Sequence, residues 1–513
     1  MTPVNVLAPG RQPGLSCTPW EEAVSVPSTR IRAVNHRQFN TSGDYVLYWM
    51  IATRRANHNY ALQRAAEAAR RLGKPLVVLE ALRCDYPYAS DRLHAFVLQG
   101  MAGNQKAFRQ KGVRYHPFVE RWKGQGRGLL AKAAETACLV VTDDFPAFFL
   151  PRMVAAAGAK LKVRLEAVDS CGLLPLRAAG GEHATAQSFR RLLQRLLPVH
   201  LAEPPAADPL AQPLPGAGRL DGEIAQRWPA ATAAQLAASP GALARLPLDH
   251  SVAPAPARGG HAQALKLLGS FLRQGLADYK DDSRHPDAVA GTSHLSPYLH
   301  FGHISPHEIF AALTEAEQWS PARLGKGGRG QREGWWGMSP AAEAFLDQLV
   351  TWRELCYNFC RFREDYDQYE SLPEWALATL TAHAEDERAY VYGREWLRRA
   401  ETHDNLWNAS QRQLLEEGVM HNYLRMLWGK NILAWSSSPR QALGAMLELN
   451  DRYALDGRDP NSIGGVFWVL GRFDHPWPQR PVFGKVRCMT SRSARSKLRL
   501  KEYLARWNGR GKA

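Results

Sequence analysis

The sequence predicts an α/β region with a mostly parallel sheet, joined by a long linker to an all-helical region. Three observations carry this. Short apolar runs alternate with helix-patterned stretches between residues 44 and 199. Residues 200–262 are rich in Pro and Ala, and the chain beyond His261 is helical and aromatic-rich to its end. With 513 residues, 45% of them hydrophobic, the chain is long enough to bury more than one core.

Each element follows from its local pattern. Residues 1–43 mix Pro, Ser and Thr with Arg and sustain no period, so they read as an N-terminal extension. The α/β region spans 44–199. The apolar run 45–51 is the first buried strand, and the Ala-rich Tyr60–Leu72 is a helix. A strand at 75–79 and a long helix over Asp91–Gln110 follow, then strands at 113–116, 138–142 and 161–165. Asp143 to Pro146 lies just past the carboxyl end of a strand, where open α/β sheets bind ligands. No GxGxxG follows the first strand, which disfavours a dinucleotide site of the NAD type. Residues 200–262 form the linker and 263–513 the helical region, with helical spacing at 345–364, Asn405–Glu417 and 419–435. Gly325, Gly327, Gly328 and Gly330 make 318–340 read as an inserted flexible loop.

A net charge of +16 favours a polyanionic partner, nucleic acid before an anionic membrane, although Arg-rich composition alone also produces it. No apolar run approaches the ~20 residues that span a bilayer, and the start of the chain lacks the apolar core of a signal peptide. Seven scattered cysteines form no CxxC pair, as expected of reduced thiols in a cytoplasmic protein. Cys356 and Cys360, four apart on a helix, are a poor metal site, and no metal is expected.

Four blocks carry chemistry. Residues 455–468 (LDGRDPNSIGGVFW), with Arg472, Asp474 and Trp477 beyond, mix glycine and proline with charges and aromatics. That mixture suits an irregular wall around a large planar ligand better than a core helix. Residues 292–305 (TSHLSPYLHFGHIS) place small hydroxyl side chains before a proline-initiated helix, able to bind phosphate oxygens or simply to cap it. Within 345–359, Gln348, Trp352 and Leu355 are spaced to share one helical face, where a Trp and an amide can stack on a base and read its edge. Asp347 should point about 100° away. Trp407, Trp428 and Trp435, by spacing alone, read as packed core aromatics sooner than as an electron path.

Taken together these blocks closely resemble class II cyclobutane pyrimidine dimer photolyases of the photolyase/cryptochrome family, over most of residues 44–505. The resemblance implies FAD as cofactor, with Thr292, Ser293, Leu295 and Ser296 at its diphosphate. It puts an Arg425–Asp456 pair beside the isoalloxazine, Asp459 in the same site, and Asn450 opposite flavin N5. Trp407, Trp428 and Trp435 match the family's photoreduction relay, with the order of hops left open. Gln348, Trp352, Met426 and Trp468 match the lesion pocket, but Gln348 stands where the family carries a glutamate. Gln can still hydrogen-bond a thymine edge; it cannot supply a proton. Residues 54–62 (RRANHNYAL) resemble the family's early motif, with His58 in place of Asp. An antenna chromophore, a deazaflavin or a folate, would fit between the two regions, yet no residue identifies it.

The implied activity is light-driven repair of cyclobutane pyrimidine dimers in UV-damaged DNA by a cytoplasmic monomer that binds no membrane. Lys485, Arg487, Arg492, Arg495, Lys497, Arg499 and Lys501 add phosphate-neutralising charge. Two alternatives stand beside it. One is a cryptochrome-like photoreceptor without efficient repair, favoured by Gln348. The other is a flavin-free DNA-binding protein of the same fold.

Overall fold

The computed structural model describes residues 25–508. Six strands form one sheet in the order β1-β6-β5-β2-β3-β4: β1 Ile31–Ala33, β2 Tyr45–Met50, β3 Leu76–Leu82, β4 Arg114–Val119, β5 Ala137–Asp143 and β6 Leu165–Val168. All pairings are parallel except β1 with β6. Every residue of β2 is buried, as a central parallel strand covered on both faces by helices requires. The crossover helices α1 (Tyr60–Leu72), α2 (Asp91–Gln110), α3 (Leu129–Glu135) and α4 (Leu150–Lys160) are amphipathic or Ala-rich and lie over those faces. Asn59 caps α1 by accepting the Leu62 amide, and Gly73 ends it in the left-handed conformation.

The α/β sheet followed by a largely helical remainder agrees with the sequence reading, while several local expectations are corrected. The stretch read as an extension supplies β1, whose Ile31 pairs with Val168; of that stretch, residues 1–24 lie outside the described residues. The strand expected at 161–165 forms at Leu165–Val168 instead, and its neighbours run longer than their apolar runs suggested. Within 200–262 the chain forms three short helices, and Trp228 is buried with its indole N–H donated to Gln125 O at 2.8 Å. The glycine-rich 318–340 is anchored: Trp335 and Trp336 are buried, and the Trp319 indole donates to Trp336 O at 2.5 Å.

Arg92 of α2 joins the sheet region to the helices. Its guanidinium donates to Leu414 O (3.1 Å), Leu415 O (2.6 Å) and Tyr453 O (2.8 Å), at the C-terminal ends of the Asn405–Glu417 and Pro439–Tyr453 helices. Leu414 O also accepts the amide of the capping Gly418 at 3.1 Å, and the dipole at these helix ends favours a cation. A second junction lies under the Arg353–Phe362 helix. There Glu354 accepts the Leu173 and Leu174 amides at 2.7 and 3.1 Å, and Arg353 donates to Cys171 O at 2.7 Å. Among the described residues no helix is long and apolar enough to cross a membrane, and no cluster of His, Cys, Asp or Glu is placed to hold a metal ion. The six described cysteines are free thiols.

Candidate functional site

Arg425, Met426, Trp428, Trp435, Asn450 and Trp468 lie on the helices Asn422–Trp435, Pro439–Tyr453 and Pro460–Val469, which pack against one another, with Asp456 and Asp459 in the turn between the last two. Arg425, one turn into its helix, donates to both carboxylate oxygens of Asp456 at 2.9 and 3.2 Å and to the Ser462 hydroxyl at 3.2 Å. Ser462 in turn donates to the Asn450 carbonyl oxygen at 3.1 Å, and the Asn450 amide donates to Asp451 at 3.0 Å. The buried Asn450 side chain is thus fixed in orientation at both ends. Burial raises the Asp451 carboxyl above its ordinary value, against the Arg458 charge and the Asn450 hydrogen bond.

Asp459 is drawn into the protein. One oxygen caps the Pro460–Val469 helix through the Asn461 amide (2.9 Å); the other accepts from Tyr357 at 2.9 Å and lies 3.3 Å from His300 Nδ1. Burial would raise this carboxyl, but the His300 hydrogen bond and the Arg353 charge outweigh it and hold it below the usual range. Both oxygens being engaged, Asp459 shapes the wall rather than presenting a free group to it.

Thr292 and Ser293 are half-buried, Leu295 is buried and Ser296 is exposed at the start of its five-residue helix. Nearby, burial pushes the His421 imidazole down to about 4, only partly offset by the Ser283 backbone, and neither ring nitrogen completes a well-formed hydrogen bond. Gln411, fully buried, accepts the Trp428 indole N–H at 2.9 Å and leaves its own amide nitrogen without a partner. Buried polar groups of this kind are normally satisfied. Together with the Arg425–Asp456–Ser462–Asn450 set, they fit a large ligand with polar edges, such as a flavin dinucleotide.

The three tryptophans form a contiguous chain. Trp428 and Trp407 are stacked at 6.4 Å with a 2° interplanar angle, and Trp407 meets Trp435 edge-on at 5.7 Å. The Trp407 indole N–H is fixed by Trp428 O at 3.0 Å. The spatial order, which spacing along the sequence leaves open, is Trp428–Trp407–Trp435.

The candidate lesion residues lie on three helices. Asp347–Trp352 is a π-turn, whose extra residue per turn re-aims the side chains beyond it. Gln348 is exposed and Trp352 half-buried, while Leu355 is in the core, so the face expected to hold all three holds only the first two toward solvent. Asp347 is turned inward and held by Arg190 at 2.8 and 3.0 Å, which makes it unavailable to a ligand. The Met426 methyl reaches the Pro460–Val469 helix at Gly465, where an added Cβ would stand 3.5 Å from it. Trp468 on that helix is flanked by Lys430 Nζ at 4.9 Å and the Arg487 guanidinium at 5.6 Å. Lys430 also donates to Val469 O at 2.5 Å, and burial lowers its amine to about 7.

Reading the sequence missed Ser462, Gln411 and Lys430. Each is an ordinary residue in a helix, and only the tertiary contacts give it a task. Arg487, counted with the phosphate-binding tail, instead lies over Trp468 and Trp477 (4.9 Å), and Arg495 and Arg499 pair with Asn405 and Asp282.

A separate cavity of about 630 Å³ opens at the carboxyl ends of β2, β3 and β4. Trp49, Phe118, Phe145, Phe148 and Phe149 line it from the sheet side, and His300, Phe301 and Arg458 from the helical side. Asp143 lies beneath rather than within this cavity: it accepts the Ile51, Ala52 and Thr53 amides at 2.7–2.9 Å and sets the loop that forms one wall.

No family model matches the chain. It is 34% identical to a deoxyribodipyrimidine photo-lyase of Methanothermobacter thermautotrophicus, over 94% of this chain and 99% of that one. It is 32% identical to one from Oryza sativa subsp. japonica, over 98% and 94%. Its fold is similar to that of a bacterial class III photolyase from Agrobacterium tumefaciens, with a TM-score of 0.63 at 18% identity, covering 91% of this chain and 86% of the other.

Proposed function

The chain belongs to the deoxyribodipyrimidine photo-lyase family, with the class II pattern, and on that premise we propose that it uses light to split cyclobutane pyrimidine dimers in DNA with FAD held among its helices. The observation that carries this reading is the buried, neutral Asn450 amide, oriented by Ser462 and Asp451 beside the Arg425–Asp456 pair. A neutral amide there can serve a ring nitrogen in more than one protonation state, which a buried carboxylate would resist.

In this reading the flavin, when bound, supplies the light-driven electron that opens the cyclobutane ring. The protein binds, orients and excludes water. Arg425 and Asp456 hold the flavin ring, and Thr292, Ser293, Leu295 and Ser296 its diphosphate. Trp352 and Trp468 wall the flipped-out dimer, Met426 packs against it, and Gln348 hydrogen-bonds a thymine edge. Flipping is made cheaper because the lesion already disturbs stacking. Trp428, Trp407 and Trp435 carry electrons inward to keep the cofactor reduced. The cavity at the sheet edge is where an antenna chromophore, a deazaflavin or a folate, would sit, with Arg458 reaching it from the segment that carries Asp456.

A cryptochrome-like photoreceptor is the second reading, favoured by the exposed neutral Gln348 in place of a carboxyl group. Blue-light repair of a thymine-dimer oligonucleotide by the anaerobically photoreduced protein separates the two. Splitting by the native chain is expected, and Gln348→Glu should raise its yield. Photoreduction without splitting in both proteins would reject repair.

A further inference from the structure

One helix gives tryptophan two opposed electrostatic settings. Trp428 lies on Asn422–Trp435, and Lys430 follows two positions later, about 200° around the axis. On the first face the Trp428 indole N–H donates to Gln411 Oε1 at 2.9 Å, and the Trp407 indole N–H donates to Trp428 O at 3.0 Å. An oxygen acceptor at the indole N–H stabilises positive charge on the ring, because a charged donor makes the stronger hydrogen bond. Among the described residues no Lys or Arg is stacked on Trp428, Trp407 or Trp435.

The second face is set the other way. Lys430 is fully buried and places Nζ 4.9 Å from the centre of the Trp468 ring, with the Arg487 guanidinium 5.6 Å from the same centre. Val469 O fixes the amine there at 2.5 Å. A cation is drawn to the face of a neutral indole. Once the ring has lost an electron the contact becomes repulsive, and burial keeps water and salt from screening it. Trp468 stands about 9 Å along its helix from Ser462, which bonds both Arg425 and Asn450. Trp428 is three positions from Arg425, so both indoles lie within two helical turns of that polar group.

We propose that Lys430, aided by Arg487, keeps Trp468 from being oxidised and confines electron loss to the Trp428–Trp407–Trp435 branch. The inference rests on the proposed reading of this region as a flavin site. When light draws one electron toward that site, the indole that gives it becomes a radical cation. At Trp428 the next indole, Trp407, refills the vacancy. At Trp468 the new positive charge would face two cations already in place. Lys430 is a positioning residue that acts through Trp468: a wall kept neutral and closed-shell can stack on a damaged base through repeated light cycles. The amine faces Asp474, Arg487 and Cys488, and Asp474 is itself engaged by the Trp477 indole at 3.2 Å and by His475 at 3.2 Å. With burial bringing the amine to about 7, the protection is present below neutral pH and withdrawn above it.

The test is flash photolysis of the flavin-loaded protein, with tryptophan radicals followed by absorption, in Trp428→Phe with and without Lys430→Met. Retained flavin absorbance and circular dichroism show that each variant is folded. Trp428→Phe alone should give no tryptophan radical at pH 6. Adding Lys430→Met should raise the radical yield by roughly tenfold or more, and adding Trp468→Phe should abolish it again. Trp428→Phe with its lysine intact should gain the same signal at pH 9, which requires no change at the lysine. Lys430→Arg keeps the charge and should stay silent at both pH values, an outcome a merely structural lysine would not produce. In the dark, azidyl radicals, each taking one electron from an indole to become azide, should modify Trp468 more in Lys430→Met than in the parent, read by peptide mass. A radical in Trp428→Phe at pH 6 that Trp468→Phe removes overturns the proposal. So does silence of Trp428→Phe with Lys430→Met at both pH values, with dark modification unchanged. Protein that holds no flavin, or a radical in Trp428→Phe that Trp468→Phe leaves untouched, overturns the flavin-relay reading instead, and the dark comparison then decides whether Lys430 shields Trp468.

Discussion

Glu354 allows a quantitative test of how the helical region is fastened to the sheet region. Its carboxylate is fully enclosed and accepts two backbone amides, from Leu173 and Leu174. Burial raises it from the ordinary 4.5 to about 7, with the two amides and the Arg353 charge opposing. The folded chain therefore keeps a proton that the unfolded chain releases above pH 4.5. Stability falls as the pH rises through that window and is level above about 7. The full cost is about 3 kcal/mol, of which about 2 kcal/mol accrues between pH 5.5 and 7. Glu354→Gln removes this pH dependence but leaves one buried amide facing an NH2 group, a fixed loss of about 1–3 kcal/mol. Urea denaturation of both proteins, followed by tryptophan fluorescence at pH 5.5 and pH 8, isolates the effect because all other titrations cancel in the difference. The variant should gain about 2 kcal/mol on the parent between the two pH values. A difference that stays constant would refute the argument that Glu354 enters the fold protonated.

Three further outcomes follow from the site. Asp456→Asn leaves the Arg425 guanidinium without its carboxylate, so purified protein should carry less flavin and lose up to about 3 kcal/mol of stability, read by absorbance and urea midpoint. Lys430, with its amine near 7 in the fold, binds fewer protons there than when unfolded. The parent should therefore gain about 2–3 kcal/mol on Lys430→Met between pH 7 and pH 9. Lys485 and Lys497 are exposed, and replacing both with Ala should reduce the slope of log affinity for DNA against log salt by about 2, measured by fluorescence anisotropy.

What could be read from the sequence was what periodicity and motif encode. β2, α1 and α2 announce themselves by uninterrupted apolar or helical patterning, and their observed bounds match or nearly match the expected ones. β1 did not, because three residues are too few to show a period and its partner β6 lies more than a hundred positions away. The short helices between 222 and 243 are held by burying one large side chain each, such as Ile224, Leu236 or Leu243, which composition rich in Pro and Ala conceals. At the site, residue types were legible and their geometry was not. The π-turn at Asp347–Trp352 depends on tertiary packing, so the three-residue face drawn through Leu355 failed while Gln348 and Trp352 stayed together. Trp428 and Trp435 were two turns apart on one helix by arithmetic, yet only the fold inserts Trp407 between them.

The grip of Arg92 on two helix ends bears on how this chain can be recombined. Burial lowers the guanidinium to about 10, which leaves it charged at neutral pH, and four carbonyls accept its protons: Leu414 O, Leu415 O and Tyr453 O from the helices and Ala253 O at 3.0 Å. A helical half produced alone would present those carbonyls to solvent, and a sheet half would carry a charged side chain with no receptor. Chimeras that exchange the sheet half with a relative therefore require an arginine at this position in the donor, whatever the similarity elsewhere. The cut point matters less than the key.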